Sequence, residues 1–131
     1  MIDSDSALAE ILPKLRAADE VALDTEADSL HAYPEKLCLI QISLGSQDLL
    51  IDPLAPLDLS RLWEELKGHP LILHGADYDL RLLRKNHGFV PGRIFDTMLA
   101  SRLLGDREFG LVNLLKKYLG VTLEKGSQKA D

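Results

Sequence analysis

The stretch Val21-Ala22-Leu23-Asp24-Thr25-Glu26-Ala27-Asp28-Ser29-Leu30 opens an apolar run straight into two carboxylates one residue apart. Read as a strand over Val21–Glu26, it sends alternate side chains to opposite faces, so Asp24 and Glu26 project together on the side of Ala22. Two like charges side by side on a strand that otherwise reads as core are destabilising unless a cation or a proton lies between them. The same acids also suit the start of a solvated turn, and this stretch alone leaves both readings open.

Upstream, Leu8, Ile11, Leu12 and Leu15 make an apolar stripe at helical spacing, with Ser4 or Ser6 as cap and Pro13 as a bend or as the true start. Downstream, a polar connection containing Ser29, His31 and Pro34 leads to Leu37–Leu44, apolar and partly β-branched like a strand covered on both faces. Gly45-Ser46-Gln47 is a hairpin-sized turn into a third strand, Asp48–Ile51, stopped by Asp52-Pro53. The links are short, so these three strands should be antiparallel neighbours.

The period then changes. Leu59, Leu62, Trp63 and Leu66 predict a helix with Asp58 or Ser60 as cap and Gly68 as stop. Leu71-Ile72-Leu73 is a short buried strand which, after a helical crossover, should run parallel to one already placed. His74-Gly75-Ala76 turns into a helix over about Asp77–His87, ended by Gly88. Asp96 is expected to cap a helix through Leu104, and Leu111, Leu114, Leu115 and Tyr118 mark another, ended by Gly120. From Glu124 to Asp131 the sequence is polar. The expectation is an α/β layer fold: three antiparallel strands and then a parallel strand in a mixed sheet, flanked by helices. The antiparallel opening argues against the dinucleotide-binding fold, and neither GxGxxG nor a P-loop is present.

Composition sets the outer limits. The 131 residues suffice for a single domain, 1–131, with one buried core, and 46% hydrophobic with 27% charged residues is ordinary globular composition. A formal net charge of −6 argues against a protein that coats nucleic acid through a basic surface. A nuclease stays open, because a metal-loaded acidic site inverts the local charge. With Cys38 the only cysteine, an intrachain disulfide and a cysteine-built zinc cluster are excluded, and a small buried thiol is its expected role. No apolar segment is long enough to span a membrane, and the acidic start Met1-Ile2-Asp3-Ser4-Asp5 lacks the features of a signal peptide, so a cytoplasmic location is expected.

The second acidic element is His74-Gly75-Ala76-Asp77-Tyr78-Asp79-Leu80. Asp79 falls in the first turn of a helix, where the dipole favours a carboxylate. If the strand before it lies beside Val21–Glu26, Asp79 can converge with Asp24 and Glu26. Three hard oxygen ligands without a Cys or His cluster suit Mg2+ or Mn2+ rather than zinc. Asp77 has a structural role ready as an N-cap, and so has Asp96. His74 reads as a strand-end hydrogen-bonding residue rather than a general base.

Asp-Thr-Glu at 24–26, LCLIQIS at 37–43 and LILHGADYDL at 71–80 resemble the first two motifs of the DEDD 3'-5' exonucleases, and most of all ribonuclease D. Phe95-Asp96-Thr97 running into Leu99–Leu104, and Leu119-Gly120-Val121 with Lys125, Gln128 and Asp131, extend the similarity over about residues 20–131. The resemblance implies a ribonuclease H-like fold whose acids hold two divalent ions, Mg2+ or Mn2+. Asp24 would be shared by both metals, Glu26 would bind the nucleophile-side metal, and Asp79 would be the second-motif aspartate. It also implies removal of single nucleotides from a single-stranded 3' end of RNA, or of DNA. Thr25 would bring its backbone close to the terminal nucleotide, and Leu30 would pack on its base.

The pattern departs at the third motif, Tyr-x-x-x-Asp, in which Tyr orients the attacking water and Asp completes metal binding. Tyr118 is followed four residues on by Thr122, Tyr78 by Leu82 and Tyr33 by Leu37. The histidine variant fails too: His87 leads to Pro91, and His31 to Glu35 precedes the second motif. The expectation is a copy truncated before that motif, with little or no turnover of its own and with apolar surface open to association. Two other classes fit the same residues: a non-catalytic nucleic-acid-binding or scaffold domain, and a Mg2+-dependent phosphohydrolase of small molecules.

Overall fold

The computed structural model describes residues 1–28 and 35–123. Helix α1 (Asp5–Ala17) leads into strands β1 (Val21–Asp28), β2 (Lys36–Leu44) and β3 (Gln47–Ile51). Helix α2 (Ser60–Lys67), strand β4 (Pro70–Leu73), helix α3 (Ala76–His87), strand β5 (Arg93–Asp96) and helix α4 (Thr97–Leu103) follow. Helix α5 (Leu111–Leu114) widens into a π-helical turn over Leu115–Leu119. The sheet order is β3-β2-β1-β4-β5. The first three strands are antiparallel, and β4 and β5 run parallel to β1, as a helical crossover requires. Next to the mixed sheet expected from the sequence, β5 is an addition: Arg-Ile-Phe-Asp is too short and too exposed to announce itself, and its order comes from pairing with β4.

Alternation along β1 divides the molecule. Val21 and Leu23 point to one face together with Ile40 and Ile42 of β2, Leu49 and Ile51 of β3, and Leu71 and Leu73 of β4. Onto this face pack Leu8, Ile11, Leu12 and Leu15 of α1, Leu62 and Leu66 of α2, and Leu82 and Leu83 of α3. Each such side chain taken fully out of water contributes about 1.5–3 kcal/mol, so this face holds the fold together. The opposite face carries Ala22, Asp24, Gln41, Ser43, Ile72 and His74 around an open cleft of about 430 Å³.

Local chemistry fixes the elements. Ser4 caps α1, its hydroxyl accepting the Ala7 N–H at 3.2 Å, and Pro13 is accommodated inside the helix. Ahead of α1, Ile2 forms a bridge to Ile51, its N–H donating to Leu50 O at 2.7 Å, and so covers part of the β3 edge. Asp58 serves α2 from one residue ahead of its N-cap, accepting the Ser60 N–H at 2.9 Å. Gly75, at φ +69, makes the left-handed turn from β4 into α3, a conformation a side chain would strain. Asp77 does not cap α3; it is exposed and paired with Arg81 one turn on. The cap comes instead from Asp96 at the end of β5, which accepts the Gly75 and Ala76 N–H groups at 2.9 and 2.8 Å. The same carboxylate accepts Met98 N–H at 2.9 Å and Leu99 N–H at 3.3 Å, joining the starts of α3 and α4.

Candidate active site

The β1–β2 ladder pairs Asp24 with Gln41 and Glu26 with Leu39, and then slips: Ala27 pairs with Leu37, leaving Cys38 as an extra residue in β2. This is a β-bulge beside the acids, where such irregularities re-aim side chains. Cys38 is half-buried rather than sealed in the core, and its thiol donates to the Glu26 carbonyl at 3.4 Å. Burial pushes the thiol's pKa up, and the charges of Asp28 and Glu26 push it the same way, so Cys38 is a poor nucleophile.

Strand β4 pairs with β1 only at Val21 and Ala22 and ends at Leu73, so the flank of β1 beyond it is free to meet the start of α3. Asp79 arrives there. It is buried, 5% exposed, and accepts a hydrogen bond from the hydroxyl of Thr25, itself buried. Burial drives the Asp79 pKa up; the hydrogen bond from Thr25 opposes this, and the nearby charges of Asp24 and Glu26 raise it further.

The three acids therefore sense one another, yet they approach β1 from different sides. Asp24 is exposed and Glu26 half-buried on the open face, whereas Asp79 meets the Thr25 side, under the helices. Among the described residues, no three His, Cys, Asp or Glu side chains are gathered into a group that could hold a metal ion. The donor set nevertheless fits a hard divalent cation in kind: carboxylates only, with the pKa of Asp79 raised first by burial and further by the charges of Asp24 and Glu26. Thr25, expected near the substrate through its backbone, spends its side chain on Asp79. Leu30 lies outside the described residues, as do Lys125, Gln128 and Asp131.

Two neighbours of Asp24 share its cleft, and only the first has no role in the sequence reading. Gln41 is its cross-strand partner and lines the same cleft. Counting parity along β2 back from Ile42 would have found it, since the residue before an inward-facing Ile must face outward. His74 continues the β4 register beyond Ala22↔Ile72 and also lines the cleft; as expected of a strand-end residue, its ring is hydrogen-bonded, Nδ1 lying 2.8 Å from Thr97 Oγ1.

Comparison with known proteins supplies a family. A 3'-5' exonuclease domain family matches residues 1–131. Ribonuclease D of Zymomonas mobilis is 36% identical over 136 residues, covering 100% of this chain and 35% of its own length. The crystal structure of Escherichia coli RNase D, described as an exoribonuclease involved in structured RNA processing, superposes with a TM-score of 0.88 at 34% identity. It covers 100% of this chain and 36% of that one. Brucella melitensis NrnC with bound Mg2+ superposes with a TM-score of 0.70 at 29% identity, covering 85% of this chain and 58% of that one. The chain thus spans about a third of the length of its ribonuclease D relatives.

Proposed function

Because the chain belongs to the 3'-5' exonuclease domain family, and within it to the ribonuclease D type, we propose that it binds the 3' end of single-stranded RNA in the open cleft and supports hydrolysis of the terminal phosphodiester bond. The observation that supports this reading is electrostatic: the charges of Asp24 and Glu26, two residues apart on one face of β1, bear on the buried Asp79. Mg2+ or Mn2+ ions held by these three carboxylates would supply the activated water and stabilise the leaving 3'-oxygen.

The chain's own residues do the rest. Asp24 presents its carboxylate in the cleft, in reach of a strand lying there, and Glu26 follows two residues on along the same face of β1. Thr25 fixes Asp79 from the covered side, while Asp24 is exposed and Glu26 half-buried on the open face. The Cys38 bulge and its thiol bond to the Glu26 carbonyl set the backbone from which Glu26 projects. No Tyr-x-x-x-Asp occurs among the 131 residues. A group that orients the attacking water is typically worth a factor of about 10² or more in rate.

The test combines metal binding with strand shortening. Titration of Mn2+ into the wild-type chain and into Asp24→Ala should give clearly weaker binding in the variant; equal binding refutes the site. A 5'-labelled RNA should shorten stepwise from its 3' end, slowly with the wild-type chain and not at all with Asp24→Ala. Internal cuts, or hydrolysis of a small phosphoester beside intact RNA, would replace this reading with another.

A further inference from the structure

The strand ends place three polar side chains in a row across the open face. Gln41 of β2 is paired with Asp24 of β1, and His74 follows β4 at the next position on the other side. All three line the cleft, together with Thr97 at the start of α4. The protonation pattern of His74 follows from its partner. Thr97 Oγ1 has a single proton, which it donates to the Leu73 carbonyl at 3.2 Å. With that proton donated to Leu73 O, Oγ1 accepts from His74 at 2.8 Å, and in this tautomer Nδ1 carries the ring proton and Nε2 a lone pair. No described residue hydrogen-bonds to Nε2. The cleft thus holds a fixed acceptor beside the carboxylate at which the scissile phosphate is expected.

A phosphate cannot donate a hydrogen bond to that nitrogen. In a nucleic-acid strand, the donors closest to a scissile phosphate are ribose hydroxyls; base N–H groups lie further out. We propose that His74, oriented by Thr97, is a specificity-determining residue whose Nε2 accepts a hydrogen bond from a ribose 2'-hydroxyl near the 3' terminus, and so favours RNA over DNA. The assignment rests on the exonuclease reading above and deepens it, since the 2'-hydroxyl is the group by which a protein distinguishes the two polymers.

The test is a cycle between protein and ligand, with affinity as the readout. A fluorescent RNA decamer, and the same decamer lacking the 2'-hydroxyl on its last two nucleotides, are titrated with the wild-type chain in Mn2+ and followed by anisotropy. For the wild type, the missing hydroxyls should weaken binding about fivefold to tenfold, the worth of one hydrogen bond. His74→Phe and His74→Asn should weaken RNA binding by a similar factor and make the two decamers equivalent; Asn keeps the Thr97 bond but cannot reach the ligand. His74→Gln, whose amide oxygen can stand near Nε2, should restore part of the difference. Coupling of this kind is not produced by a merely structural role. The proposal is overturned if the wild type does not distinguish the decamers, or if the variants lose affinity for both equally while the discrimination persists. Failure of the wild type to bind either decamer would remove the exonuclease reading itself and the proposal with it.

Discussion

The two faces of β1 are written in one eight-residue strand and have opposite characters. Val21 and Leu23 sit fully in the apolar layer under α1, α2 and α3, while Ala22 and Asp24 line an open cleft and Glu26 follows on the same side of the strand. Thr25 is the exception that links them: a polar residue on the covered face, made tolerable by its bond to Asp79. The covered face is therefore where stability resides, and the open face is free to keep like charges together. The carboxylates of Asp79 and Asp96 carry the same contrast. Asp79 is raised by burial and by neighbouring charge, whereas Asp96, which burial alone would also raise, is held below the ordinary range by the N–H groups of Ala76, Gly75, Leu99 and Met98.

The contrast can be broken hardest from the covered side. Leu83→Ala, at a position fully buried in the core, should lower stability by about 2–5 kcal/mol in denaturant titration. A smaller loss would mean that the helices close over the gap.

Asp96→Ala should come next. It frees four N–H groups at two helix starts, a cost of about 2–3 kcal/mol from typical cap values. Because the folded-state pKa of Asp96 is depressed, its contribution is present above the ordinary carboxylate range and is lost as pH falls through the lowered value. Wild type and variant should therefore converge in Tm toward strongly acidic pH.

Asp79→Asn should act in the opposite sense. A carboxyl whose pKa is raised on folding stabilises most below its unfolded pKa, and that contribution disappears as pH rises through the folded one. In the absence of metal, the variant should melt above the wild type at neutral and alkaline pH, the gap closing on acidification. A wild type that melts higher at every pH would show that Asp79 is not held against its charge.

The smallest effect is expected on the open face itself. Gln41→Ala should change stability by about 0.5 kcal/mol or less, because no packed layer rests on it. A large loss there would blur the division between the faces.

What the sequence disclosed follows the range of the forces involved. Helical and strand periods, the acids on one side of β1 and the Gly stops are local, and they were readable. The strand at Arg93–Asp96 is ordered by hydrogen bonds to β4 rather than by its own pattern. The capping of α3 by Asp96 reaches across 20 residues, so the nearer Asp77 looked like the cap. That the charges of Asp24 and Glu26 bear on Asp79 was legible as chemistry. The approach of Asp79 from the Thr25 side was not, because it depends on where β4 stops.

The odd residue in β2 has one more consequence. Leu37 and Ile40 lie three apart, yet both turn inward, which an unbroken two-residue repeat forbids. Cys38 resets the phase of the strand. Deleting that single position would leave a regular ladder with Leu37 still inward, whereas pairing Cys38 in turn opposite Ala27 would swing Leu37 out to solvent and draw Lys36 inward. Any alignment that runs through this strand without a place for the extra residue would assign its first two positions to the wrong sides.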